Sequence, residues 1–285
     1  MACWRVARIG LHLLHGICLT LLLRLKYGVL WHQQPQGRYT ICNWMQRLTK
    51  IIGLRIHLSR DPTASADMAT SSKLLVANHV SWLEVIAIGC LGPTRFLAKE
   101  EVSRWPIIGL LTTLSGTLFI RRESSQALRI SQARITQALM EKQNVLIFPE
   151  GTTTDGNQVE RFRPALFETA RIAQCSIQPI SICYRTATGV DRIAPYIGDD
   201  TFVSHLWRIV KRDKTHIYVH FCKPVDHHRP RQKLAKKCYE RICTSLLEQP
   251  SATIPARPFA RKIGQFGESN TQPLPLLGKK LIPYD

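Results

Sequence analysis

Leu74-Leu75-Val76-Ala77-Asn78-His79-Val80-Ser81-Trp82-Leu83-Glu84 is the stretch from which the rest of the chain can be read. Its first four residues form a continuous apolar run of strand length, and from Ser81 onward the apolar spacing turns helical. Asn78 and His79 therefore stand at a strand-to-helix turn, where α/β folds line their clefts. Glu84 follows His79 by a little more than one helical turn, so its carboxylate can fold back onto the imidazole and fix the tautomer. Such a pair can take a proton from a hydroxyl. A histidine beside a glutamate is more often a satisfied structural pair, and a catalytic reading calls for a second feature in the same cleft.

That feature lies about seventy residues on. Asn144-Val145-Leu146-Ile147-Phe148 reads as a buried strand that ends in Pro149-Glu150-Gly151-Thr152, and α/β folds gather ligands at the carboxyl ends of strands. Outward from these two, strands are predicted at 54–58, 94–98, 117–121, 176–184 and 216–221, and helices at 81–91, 103–114, 125–142, 165–173 and 232–247. The alternation predicts an α/β fold: a mixed, largely parallel sheet flanked by helices, preceded by an N-terminal membrane-binding helical segment. The expected organisation is a membrane-associated helical segment at 1–52, a catalytic domain at 53–248 and a Pro-rich tail at 249–285. The tail has no apolar period and is expected to be disordered.

Composition bounds the partners. The 285 residues suffice for one α/β domain with small appendages. Thirty-nine Lys and Arg against twenty Asp and Glu leave a formal charge of +19, a field that attracts polyanions of any kind, such as an anionic bilayer or nucleic acid. A nucleic-acid binder would carry a basic stripe with stacking aromatics or a known module; the sequence has neither, and no nucleic acid is expected. The nine cysteines are odd in number and include no Cys-x-x-Cys pair, which points to reduced thiols and away from disulfides or zinc. Neither a metal nor a cofactor is expected.

Residues 9–23 are apolar apart from His12, His15 and Thr20, and are flanked by Arg5, Arg8, Arg24 and Lys26. About fifteen residues make roughly 22 Å of helix, short of a hydrocarbon core of roughly 30 Å, so this segment is expected to lie in one leaflet. No small-residue cleavage site follows, which favours an uncleaved anchor over a secretory signal. In 39–52, Ile41, Trp44, Met45, Leu48 and Ile52 share one side, a face suited equally to a bilayer interface or to packing on the catalytic domain.

Taken together these residues resemble the glycerolipid acyltransferases typified by 1-acylglycerol-3-phosphate acyltransferase. The family's first motif, Asn-His with an acidic residue after four positions, is matched by Asn78, His79 and Glu84. Gly-x-x-Phe-Ile-x-Arg stands as Gly116 to Arg122, Phe-Pro-Glu-Gly-Thr as Phe148 to Thr152, and the proline of the fourth motif as Pro179. Ala98-Lys99-Glu100-Glu101 and Trp105-Pro106-Ile107-Ile108-Gly109 are also similar to the family. The resemblance implies O-acyl transfer from acyl-CoA or acyl carrier protein, as co-substrate, to a lysolipid hydroxyl at the cytoplasmic face of the inner membrane. The acceptor it suggests first is 1-acylglycerol-3-phosphate, to give phosphatidate.

In that reading His79 is the base and Glu84 its orienting partner, with no acyl-enzyme, because no Ser or Cys sits in a nucleophile-elbow setting. Substrate-binding residues are expected at Lys99, Gly116, Phe119, Arg122, Glu150, Gly151 and Thr152. Arg122 offers an acceptor phosphate or carboxylate a planar fork, and the motif's register favours it over Arg121. Glu150 has two readings, a site acceptor for Arg122 or a hydroxyl, and a helix-start carboxylate without chemical role. Two features depart from the family: Glu84 replaces the usual Asp, and Thr153-Thr154-Asp155-Gly156 follows the third motif where phosphatidate-forming members often carry Arg-Ser. The second departure resembles relatives that acylate other lysolipids, including lyso-ornithine lipid. A hydrolase with the same dyad and a catalytically weak membrane scaffold are the rival readings.

Overall fold

Leu74, Leu75, Val76 and Ala77 have no solvent exposure, because their strand runs through the middle of an eight-stranded sheet. The computed structural model describes residues 2–64, 68, 72–121 and 124–248. Across the sheet the order is β1 (Leu54–Arg60), β8 (Thr215–Phe221), β6 (Ser176–Thr186), β2 (Lys73–Ala77), β5 (Val145–Ile147), β3 (Arg95–Lys99) and β4 (Leu118–Ile120). A short β7 (Gly189–Val190) pairs with the end of β6. All neighbours are parallel except β6 with β8 and β6 with β7.

A parallel sheet of this kind is covered on both faces, and the period-two alternation of the central strands supplies both cores. Leu75, Ala77 and Leu146 face α2 (Pro35–Ile52), α3 (Leu83–Gly89) and α7 (Phe202–Lys211). Leu74, Val76, Val145 and Ile147 face α5 (Ser125–Met140), α6 (Glu168–Ile172) and α8 (Arg231–Glu248). The mixed, largely parallel α/β architecture read from the sequence is the one observed.

Local departures have local causes. The helix expected at 103–114 is divided into a 3₁₀ turn, Glu100–Arg104, and α4 (Ile108–Leu114); Pro106 has no N–H to give between them, and Ile107 takes a φ of 62°. Helix α7 was not anticipated, although its signals are present. The Thr201 side chain accepts from Ser204 N, and Phe202, Leu206, Ile209 and Val210 follow at helical spacing. The tail expected at 249–285 lies outside the described residues.

Helix α1 spans Ala2–Tyr27, well beyond the apolar core at 9–23, because the flanking arginines are themselves good helix formers. Its 26 residues make about 39 Å, and by length and composition it could cross a bilayer. Its polarity is inverted relative to a helix on a soluble protein. The inward face consists of Ile9, His12, Gly16 and Thr20, whereas Trp4, Leu11, Leu14, Leu21, Leu22 and Leu25 are exposed. His12 stacks on Trp44 of α2 with ring centroids 4.5 Å apart, and Trp44 Nε1 donates to His12 O at 3.2 Å. A Cβ at Gly16 would lie 2.8 Å from Trp44 Nε1, so glycine sets this approach. Leu48, Ile51 and Ile52 of α2 join the sheet's core, which decides the open question about residues 39–52 in favour of packing.

Candidate active site

Asn78 ends the β2 ladder by imitating a strand residue with its side chain. Its amide donates to Ile182 O and accepts from Ile182 N, both at 2.8 Å, and so holds β2 against β6 while the main chain turns away. His79 is then fixed from the other side, by the end of β5. Glu150 Oε1 accepts from His79 N at 2.6 Å, and Thr154 N donates to His79 O at 2.9 Å. The Phe148 ring lies flat against the imidazole, with centroids 3.9 Å apart and planes 15° from parallel. The two strand ends singled out in the sequence thus form one site.

Glu84 completes the dyad. Its Oε2 is 2.7 Å from His79 Nδ1, and its Oε1 accepts from Val80 N at 2.9 Å and Ser81 N at 2.6 Å. The carboxylate thereby occupies the start of α3, where unpaired amides and the helix dipole favour negative charge. Burial pushes its pKa up, while His79 and the two amides pull it down. A buried carboxylate against Nδ1 assigns the proton to that nitrogen, which leaves the lone pair on Nε2. Nε2 has no hydrogen-bond partner among the described residues. The His79 side chain is 20% exposed and that of Glu84 not at all, so the imidazole is open to an acceptor and its carboxylate is not.

The other expected residues separate into groups. Glu150 is buried, and its second oxygen accepts from Glu160 N at 2.7 Å, so both oxygens are occupied in holding main chain; burial raises its pKa to about 7. Gly151, at φ 80°, closes the turn by donating to Phe148 O, and Thr152 beside it is exposed. Lys99 ends β3 at the same carboxyl edge as His79, and Arg121 pairs through two nitrogens with Glu100. Phe119 is half-buried in β4, opposite Ala98.

Gly116 is not part of this cluster. It precedes β4 at the opposite edge, where its φ of 76° and its contact with His32 make it conformational: a Cβ would lie 2.4 Å from His32 Nδ1. Arg122 lies outside the described residues.

One wall of the site was not anticipated. Tyr196 N donates to Val80 O at 2.9 Å, and Thr153 Oγ1 donates to Tyr196 O. Trp82 Nε1 donates to His205 Nδ1 at 2.9 Å, which leaves His205 Nε2–H to donate to the Ala194 and Pro195 carbonyls. Phe202 packs between Trp82 and Trp105, at 5.0 and 5.5 Å. Only the helical spacing of 202–210 could have pointed to it. Among the thiols, Cys90 and Cys175 are core residues, and burial pushes them up to about 12 and about 11, far from reactive thiolates.

Fold and dyad define an α/β protein with a histidine, oriented by a buried carboxylate, at the carboxyl edge of its central strands. Residues 60–183 match the profile of the acyltransferase family. The chain is 35% identical over 211 residues to a lyso-ornithine lipid O-acyltransferase of Pseudomonas aeruginosa, covering 74% of this chain and 79% of that protein. It is 34% identical over 164 residues to a 1-acyl-sn-glycerol-3-phosphate acyltransferase of Neisseria gonorrhoeae, covering 58% and 64%. The crystal structure of the 1-acyl-sn-glycerophosphate acyltransferase of Thermotoga maritima shares the fold, with a TM-score of 0.56 at 19% identity over 86% of this chain and 97% of that one. The chain belongs to the acyltransferase family.

Proposed function

We propose that this protein transfers a fatty acyl group from a thioester, acyl-CoA or acyl carrier protein, to the hydroxyl of a lysolipid. The observation that carries the reading is the Glu84–His79 pair, with Nδ1 tied to a buried carboxylate and Nε2 open. Nε2 takes the proton from the acceptor hydroxyl as its oxygen bonds to the thioester carbon. The tetrahedral oxyanion then collapses, the carbon–sulfur bond breaks, and the imidazolium returns its proton to the thiolate. Glu84 stabilises the imidazolium without taking its proton, as the acid of a catalytic triad does.

The acceptor favoured here is lyso-ornithine lipid, since the likeness to that enzyme extends over more of both chains and Thr153-Thr154 follows the third motif. The second reading is 1-acylglycerol-3-phosphate, supported by the Neisseria relative. The outward leucines of α1 support attachment to a membrane surface in one leaflet, since the helix's other face is committed to α2 and α4. Purified protein incubated with each donor and a panel of lysolipids, with products identified by mass, tests the assignment. An acylated product with the wild type and none with His79→Ala is expected. Release of free fatty acid alone would make the enzyme a hydrolase.

A further inference from the structure

At the edge of the sheet opposite the dyad, the start of α2 and the starts of β3 and β5 enclose a cavity of about 170 Å³. Asn144 and Phe148 bracket β5, so this cavity and the dyad's edge are separated by the length of that strand, about 13 Å. Three cations line it: Arg38, Arg95 and Lys142. Among the described residues its acidic neighbour is Glu141, whose carboxylate accepts from the amides of Gln137 at 2.8 Å and Gln143 at 3.0 Å. Arg95 Nε donates to Gly116 O at 2.9 Å, and its two terminal nitrogens have no hydrogen-bond partner among the described residues. Arg38 Nε donates to Gln33 O at 2.8 Å, and its Nη1 donates weakly to Lys142 O at 3.4 Å.

His32 Nδ1 is buried against the same cavity without a partner. Burial first, and then the fields of Arg95 and Arg38, lower its pKa to about 4 and keep the ring neutral; Glu141 opposes them without reversing the shift. Among the described residues no carboxylate pairs with Arg38 or Arg95, and partly desolvating two guanidiniums in this way is unfavourable unless an anion completes the site.

We propose that this cavity is a binding site for a phosphate-class oxyanion, distinct from the acyl-transfer centre, in which Arg38, Arg95 and Lys142 neutralise the ligand and the free guanidinium nitrogens of Arg95 form its forked contact. Such geometry suits a phosphate oxygen pair. The exposed apolar residues Val29 and Leu30 of the α1–α2 turn stand just before the cavity's wall at His32 and Pro35. A phosphate can therefore reach it either as free anion or as the head group of a bilayer lipid.

The test compares the full chain with Arg38→Gln/Lys142→Gln, which leaves the Arg95–Gly116 bond intact, with Arg95→Gln, and with Lys233→Gln/Lys237→Gln, a charge-matched control on α8. Each is titrated with inorganic phosphate, followed by thermal midpoint and calorimetry, and with vesicles of phosphatidylcholine alone or mixed with phosphatidylglycerol. Loss of charged hydrogen bonds should weaken phosphate binding about tenfold or more in the cavity variants and leave the control near wild type. The same ranking only on phosphatidylglycerol vesicles would identify a lipid head group as the ligand, and only with inorganic phosphate a free anion. Equal weakening in cavity variants and control, or no binding by the wild type in either arm, overturns the proposal. If Arg95→Gln fails to fold, the Arg38/Lys142 pair decides alone.

Discussion

Glu84→Gln keeps the size of the side chain and removes the charge, and the structure limits it to two arrangements. In the first, the amide oxygen replaces Oε1 and accepts from Val80 N and Ser81 N, so the NH2 points at His79 Nδ1. That nitrogen must then accept, the proton moves to Nε2, and the base is lost. In the second, the amide is flipped and its oxygen holds Nδ1–H, which restores the tautomer but turns the NH2 onto two buried backbone donors. Leaving those donors unsatisfied costs about 1–3 kcal/mol each, or about 2–6 kcal/mol together. Only molecules in the second arrangement are competent, so the rate should fall roughly 30-fold to more than 10,000-fold at about 1.4 kcal/mol per tenfold. Initial rates measured by product mass, beside near-UV circular dichroism to establish folding, give the comparison. Glu84→Asp keeps the charge but withdraws the carboxylate by one methylene, and should retain more activity than Gln. A folded Gln variant within about threefold of wild type would refute the orienting role of Glu84.

Glu150→Gln should change the pH dependence of stability. The wild-type carboxyl, raised to about 7 from an ordinary 4.5, holds its proton longer in the folded than in the unfolded state, so its contribution falls as pH rises from about 4.5 to 7, by about 3 kcal/mol. Urea unfolding across that range should show this slope in the wild type and not in the variant; equal slopes would mean that Glu150 titrates normally. Arg122→Ala should raise the acceptor KM roughly ten- to a hundredfold with little effect on donor KM, and Arg122→Lys should recover part. Steady-state kinetics with both substrates varied decides it, and equal effects on donor and acceptor would move the role to Arg121 or Lys99. Leu21→Ser/Leu22→Ser/Leu25→Ser should leave folding intact and weaken flotation with anionic vesicles, at about 1–2 kcal/mol per side chain, by roughly 10²- to 10⁴-fold. Unchanged flotation would transfer attachment to the basic surface.

The parts of the fold legible in the sequence were those carried by local pattern. The apolar runs at 74–77 and 145–147 are fully buried parallel strands, and the five-residue step from His79 to Glu84 is short enough to be read from helical geometry. What escaped lies far apart in sequence. The Asn78–Ile182 clamp spans 104 residues and the Glu150–His79 contact 71, and no periodicity encodes either. Glu150 illustrates the consequence: its motif identified the site, while its partners, two backbone amides, emerged only from strand order. Gly116 is a similar case, since only the direction of β4 shows that it lies at the opposite edge from Ile120.

The membrane attachment proposed for α1 and the folding of the chain draw on the same N-terminal residues, and this governs how either can be tested. Removing residues 1–52 would take Ile9, Leu48, Ile51 and Ile52 out of the core that contains Leu75, Ala77 and Leu83. Loss of a single buried Leu or Ile costs about 2–5 kcal/mol, so the four together approach the whole stability of a domain, about 5–15 kcal/mol. A truncated chain that failed to float would report unfolding as readily as detachment. The outer face of α1 is separable because its leucines touch water and its packing rests on Ile9, His12, Gly16 and Thr20. A helix that packs on the protein through a few small and polar residues with Ile9, and turns most of its leucines outward, would gain from a bilayer what a soluble helix gains from its core.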